Sequence, residues 1–115
     1  MRRLFLILAI ASSAAIAAPT AKPPKYNEKA LRAGLEEKLK DADSAKIKDI
    51  TYSPTNNPRI WNICGSVNAK NGYGAYSGFG RFYGLVAEIE KGKPMYSISS
   101  VENDSSNRMC EHFGL

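Results

Sequence analysis

Two hydrophobic periods divide the chain. Between Glu28 and Lys40, Leu31, Leu35 and Leu39 recur every fourth residue with Ala30 beside them, the apolar stripe of an amphipathic helix. Asn27 stands where an N-cap is needed, and Glu28–Arg32 and Glu36–Lys40 are i,i+4 pairs in the favourable order, about 0.3 kcal/mol each. Gly34 weakens this helix by about 1 kcal/mol relative to Ala and leaves room for close approach to a sheet. Asp41-Ala-Asp-Ser44 ends it with side chains that bond their own backbone.

Beyond that point the period shortens to two. Ile47 to Ser53 reads as a strand with Ile50 and Tyr52 on one face, and Pro54 to Pro58 as a turn. Arg59 to Lys70 follows, with Trp61, Ile63, Val67 and Ala69 opposite Asn62, Cys64, Ser66 and Asn68. Arg81 to Ile89 is a third strand, Glu90 to Pro94 a hairpin, and Met95 to Val101 a fourth strand. Asn103 to Ser106 can cap a short C-terminal helical turn carrying Cys110. One helix followed by a run of strands predicts an α+β domain. Its N-terminal amphipathic helix packs on a small antiparallel sheet of about four strands.

The first residues follow a different logic. Met1-Arg2-Arg3 is a positive start, Leu4 to Ile10 an apolar run, and Ala11 to Ala18 a stretch of small residues, the three parts of a cleavable signal peptide. Ala15-Ile16-Ala17 places the cut after Ala17, so 1–17 is the expected leader, 18–26 an extended Pro- and Lys-rich lead-in, and 27–115 a single globular domain. The apolar run falls short of the ~20 residues that a membrane span requires. No membrane insertion is therefore expected after cleavage, and the destination is the periplasm or the exterior.

Export sets the chemistry of Cys64 and Cys110, the only two cysteines. In an oxidising compartment they pair, and closing the long segment between them contributes about 4 kcal/mol in the chain-entropy account. Net charge is +5, and loss of Arg2 and Arg3 leaves +3, too little to imply a polycationic nucleic-acid binder. His112 is the only histidine, so neither a nucleophilic triad nor a zinc site has its parts, and no Gly-rich phosphate loop opens a helix. No cofactor and no metal are expected. Glu88 and Glu90, roughly 7 Å apart on one strand face, are the only carboxylate pair placed for glycan hydrolysis. They run into a Lys/Gly hairpin, which favours a solvated face and a non-enzyme.

The distinctive stretch is Asn68 to Gly84, which holds five of the chain's nine glycines interleaved with Tyr73, Tyr76, Phe79, Phe82 and Tyr83. Such a loop suits recognition, with flat amphipathic rings on adaptable backbone. The candidate contact residues are Tyr73, Tyr76, Phe79 and Arg81, with Asn68, Lys70 and Asn71 as polar neighbours. A protein partner, a peptidoglycan-type glycan and, least in keeping with export, a nucleobase are the ligand classes it could take; no nucleic acid is expected. The same composition would also suit a wide β-connection whose aromatics fold back over the sheet edge.

Leu39-Lys-Asp-Ala-Asp-Ser-Ala45 and Ile63-Cys-Gly-Ser-Val-Asn-Ala-Lys-Asn-Gly-Tyr-Gly-Ala-Tyr-Ser-Gly-Phe79 together resemble a family of small exported proteins from bacteria and their phages. Its members read LKDPxSA, then CGxVNAKNxYGGYxGF, and the likeness spans roughly Leu31 to Val86. Ala42 stands where that pattern has Pro, which leaves the turn less rigid. Ala75 stands where it has Gly, which questions any left-handed backbone there. The resemblance implies export and fold and carries no activity. Periplasmic lysozyme inhibitors are similar in size, export and disulfide use and carry an SGxxY or SGxY loop; Ser77-Gly78-Phe79-Gly80-Arg81 has the SG without the Tyr. The sequence therefore leads to the expectation of an exported, non-catalytic envelope protein that recognises a protein partner through this loop, with the blocking of an envelope-targeting hydrolase as the narrower form. A peptidoglycan-binding module or a small glycan hydrolase using Glu88 or Glu90 is the alternative, and the oligomeric state is left open.

Overall fold

The computed structural model describes residues 22–115. The expected leader, 1–17, and the start of the lead-in lie outside them. The described elements are α1 (Glu28–Leu35), β1 (Lys46–Pro54), β2 (Ile60–Asn68), β3 (Gly80–Glu90), β4 (Lys93–Val101) and α2 (Asp104–His112). The strands form one antiparallel sheet in the order β1-β2-β3-β4, each paired with its neighbour in sequence. This is an α+β fold with two helices and a Cys64–Cys110 disulfide.

Asn27 caps α1, its Oδ1 accepting from the Ala30 amide at 3.0 Å. The helix starts well into the chain rather than at its amino terminus, and it stops at Leu35, short of the expected Lys40. Arg32 supplies the reason. Its Nη1 donates to the carbonyl oxygens of Ala42 and Ala45, both at 2.7 Å, and of Asp43 at 3.2 Å, drawing the following segment back against the helix. Leu39 still reaches the core from an irregular turn, while Glu36 and Lys40 lose i,i+4 geometry and form no ion pair. The Glu28–Arg32 pair does form, at 3.1 Å.

Alternation along the strands separates two apolar clusters. Leu31 and Leu35 are fully buried with Ile63, Val67, Phe82 and Val86 in the larger one. On the opposite strand positions, Cys64 and Tyr83 gather Cys110, with Met109, Phe113 and Leu115 around them. At Gly34 a Cβ would lie 2.5 Å from the Tyr96 carbonyl oxygen, so glycine is what lets α1 and β4 meet this closely. In β1, Ile47 and Ile50 both reach the larger cluster although three residues apart. A bulge between Lys48 and Thr51, with Asp49 at φ 57°, re-phases the strand.

The expected C-terminal helical turn is a full helix of nine residues. Asn103 caps it through the Ser106 amide at 2.9 Å, and Ser106 Oγ donates to Ser100 Oγ at 2.9 Å. The Tyr83 and Phe113 rings stack at 5.9 Å, and the Tyr83 hydroxyl donates to Asn62 Oδ1 at 2.8 Å, satisfying the one buried amide on that face. Among the described residues no helix is long and apolar enough to cross a membrane. Pro24 is buried, so this part of the lead-in is seated against the domain.

Candidate functional site

Residues 69–79 join β2 to β3 and hold five of the seven sequence-predicted contact residues, Lys70, Asn71, Tyr73, Tyr76 and Phe79; Asn68 ends β2 and Arg81 lies in β3. Lys70, expected inside β2, stands beyond it and makes an isolated antiparallel bridge with Tyr76, closing a small hairpin. Asn71 organises its interior. Its amide donates to the Ala75 carbonyl at 2.8 Å, and its Oδ1 accepts from the amides of Tyr73 at 2.9 Å and Ala75 at 3.2 Å. The left-handed residue of the turn is Gly74, φ 78°, and Ala75 is not left-handed, so alanine there meets no backbone strain. At the base, Asn68 Oδ1 accepts from the Gly78 amide at 3.0 Å. Asn68 and Asn71 thus hold the loop's own backbone with the atoms expected to face a partner.

The three rings differ. Tyr73, at the tip, is 98% exposed. Tyr76 is half-exposed, and its hydroxyl donates to the Ser44 carbonyl at 2.9 Å, tying the loop to the segment after α1. Phe79 is also half-exposed and lies under the Lys48 ammonium, 4.1 Å from the ring centroid. The Tyr76 ring has Lys46 Nζ at 4.6 Å and Lys70 Nζ at 5.7 Å. Each such contact is worth about 0.5–1 kcal/mol at an exposed site. Lys40 Nζ stands 3.7 Å from where a Cβ would be at Gly72. Arg81 lies below the loop, on the sheet, where it lines a recess of about 420 Å³ with Ser66, Ser77, Phe79, Glu102 and Asn107.

Four lysines therefore surround the loop, and three of them, Lys40, Lys46 and Lys48, escaped the sequence reading. Alternation in β1 could have put Lys46 and Lys48 on one face; the pairings Lys46↔Asn68 and Lys48↔Ser66 that bring them beside the loop are set by register. Among the described residues the ion pairs are Arg32–Glu28 and Lys93–Glu90, both elsewhere. Asp41 is a carboxylate that feels the Lys70 charge. Hydrogen bonds from the Ser44 hydroxyl and amide hold its pKa below the ordinary value, with a smaller contribution from the Lys70 charge.

The remaining candidates sit apart. Glu88 Oε1 accepts from the Gly92 amide and Glu90 pairs with Lys93 at 3.2 Å, so both carboxylates serve the β3–β4 turn. His112 packs edge-on to Phe113, ring centroids 4.9 Å apart. Among the described residues no cluster of three His, Cys, Asp or Glu side chains could hold a metal ion. Comparison with protein-family models, with curated proteins and with solved structures finds no match in any of the three.

Proposed function

We propose that the chain is an exported, non-catalytic protein of the cell envelope that recognises a protein partner through the 69–79 loop. One observation carries the reading. Tyr73 is almost wholly exposed at the tip of a turn whose backbone Asn71 has already ordered. A large rigid ring on pre-organised backbone binds with little further loss of conformational freedom. In this reading the segment after α1 backs the loop through the Tyr76–Ser44 hydrogen bond, and Tyr76 and Phe79 position it. A partner that is a hydrolase acting on the envelope, blocked by the loop, is the narrower form. The engagement of Glu88 and Glu90 in the hairpin supports a non-catalytic role. The signal-peptide pattern of the sequence over 1–17, the disulfide and the resemblance to small exported bacterial and phage proteins support export.

A glycan is the second reading, because both faces of the Tyr73 ring are free to stack on a sugar. The test uses the oxidised mature protein and its Tyr73→Ala variant as baits in envelope extract, with insoluble peptidoglycan sedimented in parallel. The variant should melt as the parent does, within about 0.5 kcal/mol, since an exposed ring away from packing contributes little. A protein retained only by the parent supports the proposal, and peptidoglycan retained only by the parent transfers it to the glycan reading. Equal retention by both forms, or none, overturns it. Hydrolysis of glycan that disappears in Glu88→Gln or Glu90→Gln would replace it with the enzyme alternative.

A further inference from the structure

From the four lysines around the 69–79 loop, none with a carboxylate in ion-pair range, we infer that the partner is acidic: a protein surface bearing several carboxylates around the point where Tyr73 lands. The inference rests on the loop being a recognition surface and adds what that surface selects. Lys46 and Lys70 flank the Tyr76 ring, Lys48 covers Phe79, and Lys40 reaches Gly72. Arg81 adds a fifth cation below Phe79, lining the same recess as Glu102.

Convergence on one loop is what gives the cluster meaning. Lys29 and Lys91 also lack a carboxylate in range, but among the described residues only Lys46, Lys48 and Lys70 stand over aromatic rings. Asp41, whose carboxylate feels the Lys70 charge, is engaged by Ser44. Like charges held this close repel one another in the free protein, and an acidic partner relieves that repulsion on binding. Ammonium groups resting on aromatic faces also keep the rings and the charges in one plane of contact, so a partner meets both together. The consequence is electrostatic steering: the cations accelerate encounter, and Tyr73 sets how long the complex lasts. A strongly cationic partner is repelled by the same arrangement.

Poly-L-glutamate is the first probe, titrated into isotopically labelled oxidised protein at about 0.02 M and about 0.3 M salt. Polyphosphate and vesicles containing phosphatidylglycerol run beside it. Signals of Tyr73, Tyr76, Phe79, Lys40, Lys46, Lys48 and Lys70 should move, with those of Lys29 and Lys91 still. Lys46→Gln/Lys48→Gln should weaken binding at least about tenfold, as should high salt, while Lys29→Gln/Lys91→Gln leaves it unchanged. If the first pair unfolds, Lys40→Gln/Lys70→Gln is read in its place. Equal losses in the loop and control pairs, binding indifferent to salt, or tighter binding of polyphosphate or vesicles overturns the inference. In envelope extract the two ideas separate. Retention lost by Tyr73→Ala but untouched by the lysine variants leaves the loop reading standing and removes the acidic partner. Retention lost by the lysine variants but not by Tyr73→Ala does the reverse.

Discussion

Replacing Gly34 with alanine sets two effects against each other. In an isolated helix the change is favourable by about 1 kcal/mol, because glycine is the poorer helix former. Here the new methyl would lie 2.5 Å from the Tyr96 carbonyl oxygen and 3.1 Å from its Cβ, roughly 1 Å inside ordinary contact with a backbone atom that cannot rotate away. Relief requires α1 to lift from β4. Leu31 and Leu35, both fully buried, lift with it, and a gap of this size forfeits a quarter to a half of the contact energy beneath them. Overpacking of this kind typically costs about 1–3 kcal/mol. An approach of 2.5 Å to a backbone oxygen puts this site in the upper part of that range, about 2–3 kcal/mol. After the helix gain is subtracted, the net expectation is a loss of about 1–2 kcal/mol and a Tm lowered by roughly 5–10 °C for a domain of this size. Thermal and urea unfolding of the oxidised protein followed by circular dichroism measures it. Ala33→Gly, at an exposed position of the same helix, reports the propensity term alone and should cost about 1 kcal/mol. A Gly34→Ala protein as stable as the parent, or more so, would refute the reasoning, since the helix preference would then outweigh the contact.

Reduction of Cys64–Cys110 should remove about 4 kcal/mol and lower Tm by more than about 10 °C, with α2 amides losing hydrogen-exchange protection before the sheet does; an unchanged melt after verified reduction contradicts this. Burial raises the pKa of the Tyr52 phenol above its ordinary 10.0, with the Tyr96 hydroxyl adding to the shift, and no hydrogen-bond partner for the Tyr52 hydroxyl is found among the described residues. The folded state thus keeps a proton that the unfolded chain releases, so this stability is fully present below pH 10 and is lost as pH rises above it; Tyr52→Phe should flatten that decline without loss at pH 7. Asn71→Ala removes the acceptor for the Tyr73 and Ala75 amides and should speed hydrogen exchange across residues 71–76 at least tenfold, about 1.4 kcal/mol, while Tm moves little; unchanged exchange would show that the loop is held by other contacts.

Local rules made much of the fold legible. Asn27 and Asn103 cap the helices because each offers a side-chain oxygen to an amide three residues on, a signal contained within a few positions. Strand alternation separated the Ile63/Val67 face from the Cys64 face of β2 for the same reason, a period of two that needs no partner to be seen. What escaped depends on contacts distant in sequence. The early end of α1 is set by Arg32 reaching carbonyls ten and thirteen residues ahead. The β1 bulge turns on Asp49 adopting φ 57°, a conformation no glycine advertised. Met109 and Cys110 are sparse apolar residues among polar ones, too few to mark a nine-residue helix until Tyr83 and Cys64 are placed beneath them. The loop was visible by composition, and its lysines were not, because Lys46 and Lys48 approach it only through the register of β1 on β2.

The order of the strands has a consequence for how the protein reaches its oxidised state. Every sheet neighbour is also a sequence neighbour, so β1 to β4 can pair by closing successive short connections, with the smallest entropic demand a four-stranded sheet can make. Cys110 lies beyond the last strand, and its sulfur comes to rest beneath the Phe82 carbonyl only once β3 is in place. The sheet's pairings can thus form before the bond closes. With two cysteines there is no wrong partner within the chain, and no isomerase is needed to sort pairings. Oxidation can act here as a latch, tying α2 to a sheet whose own pairings do not need the bond.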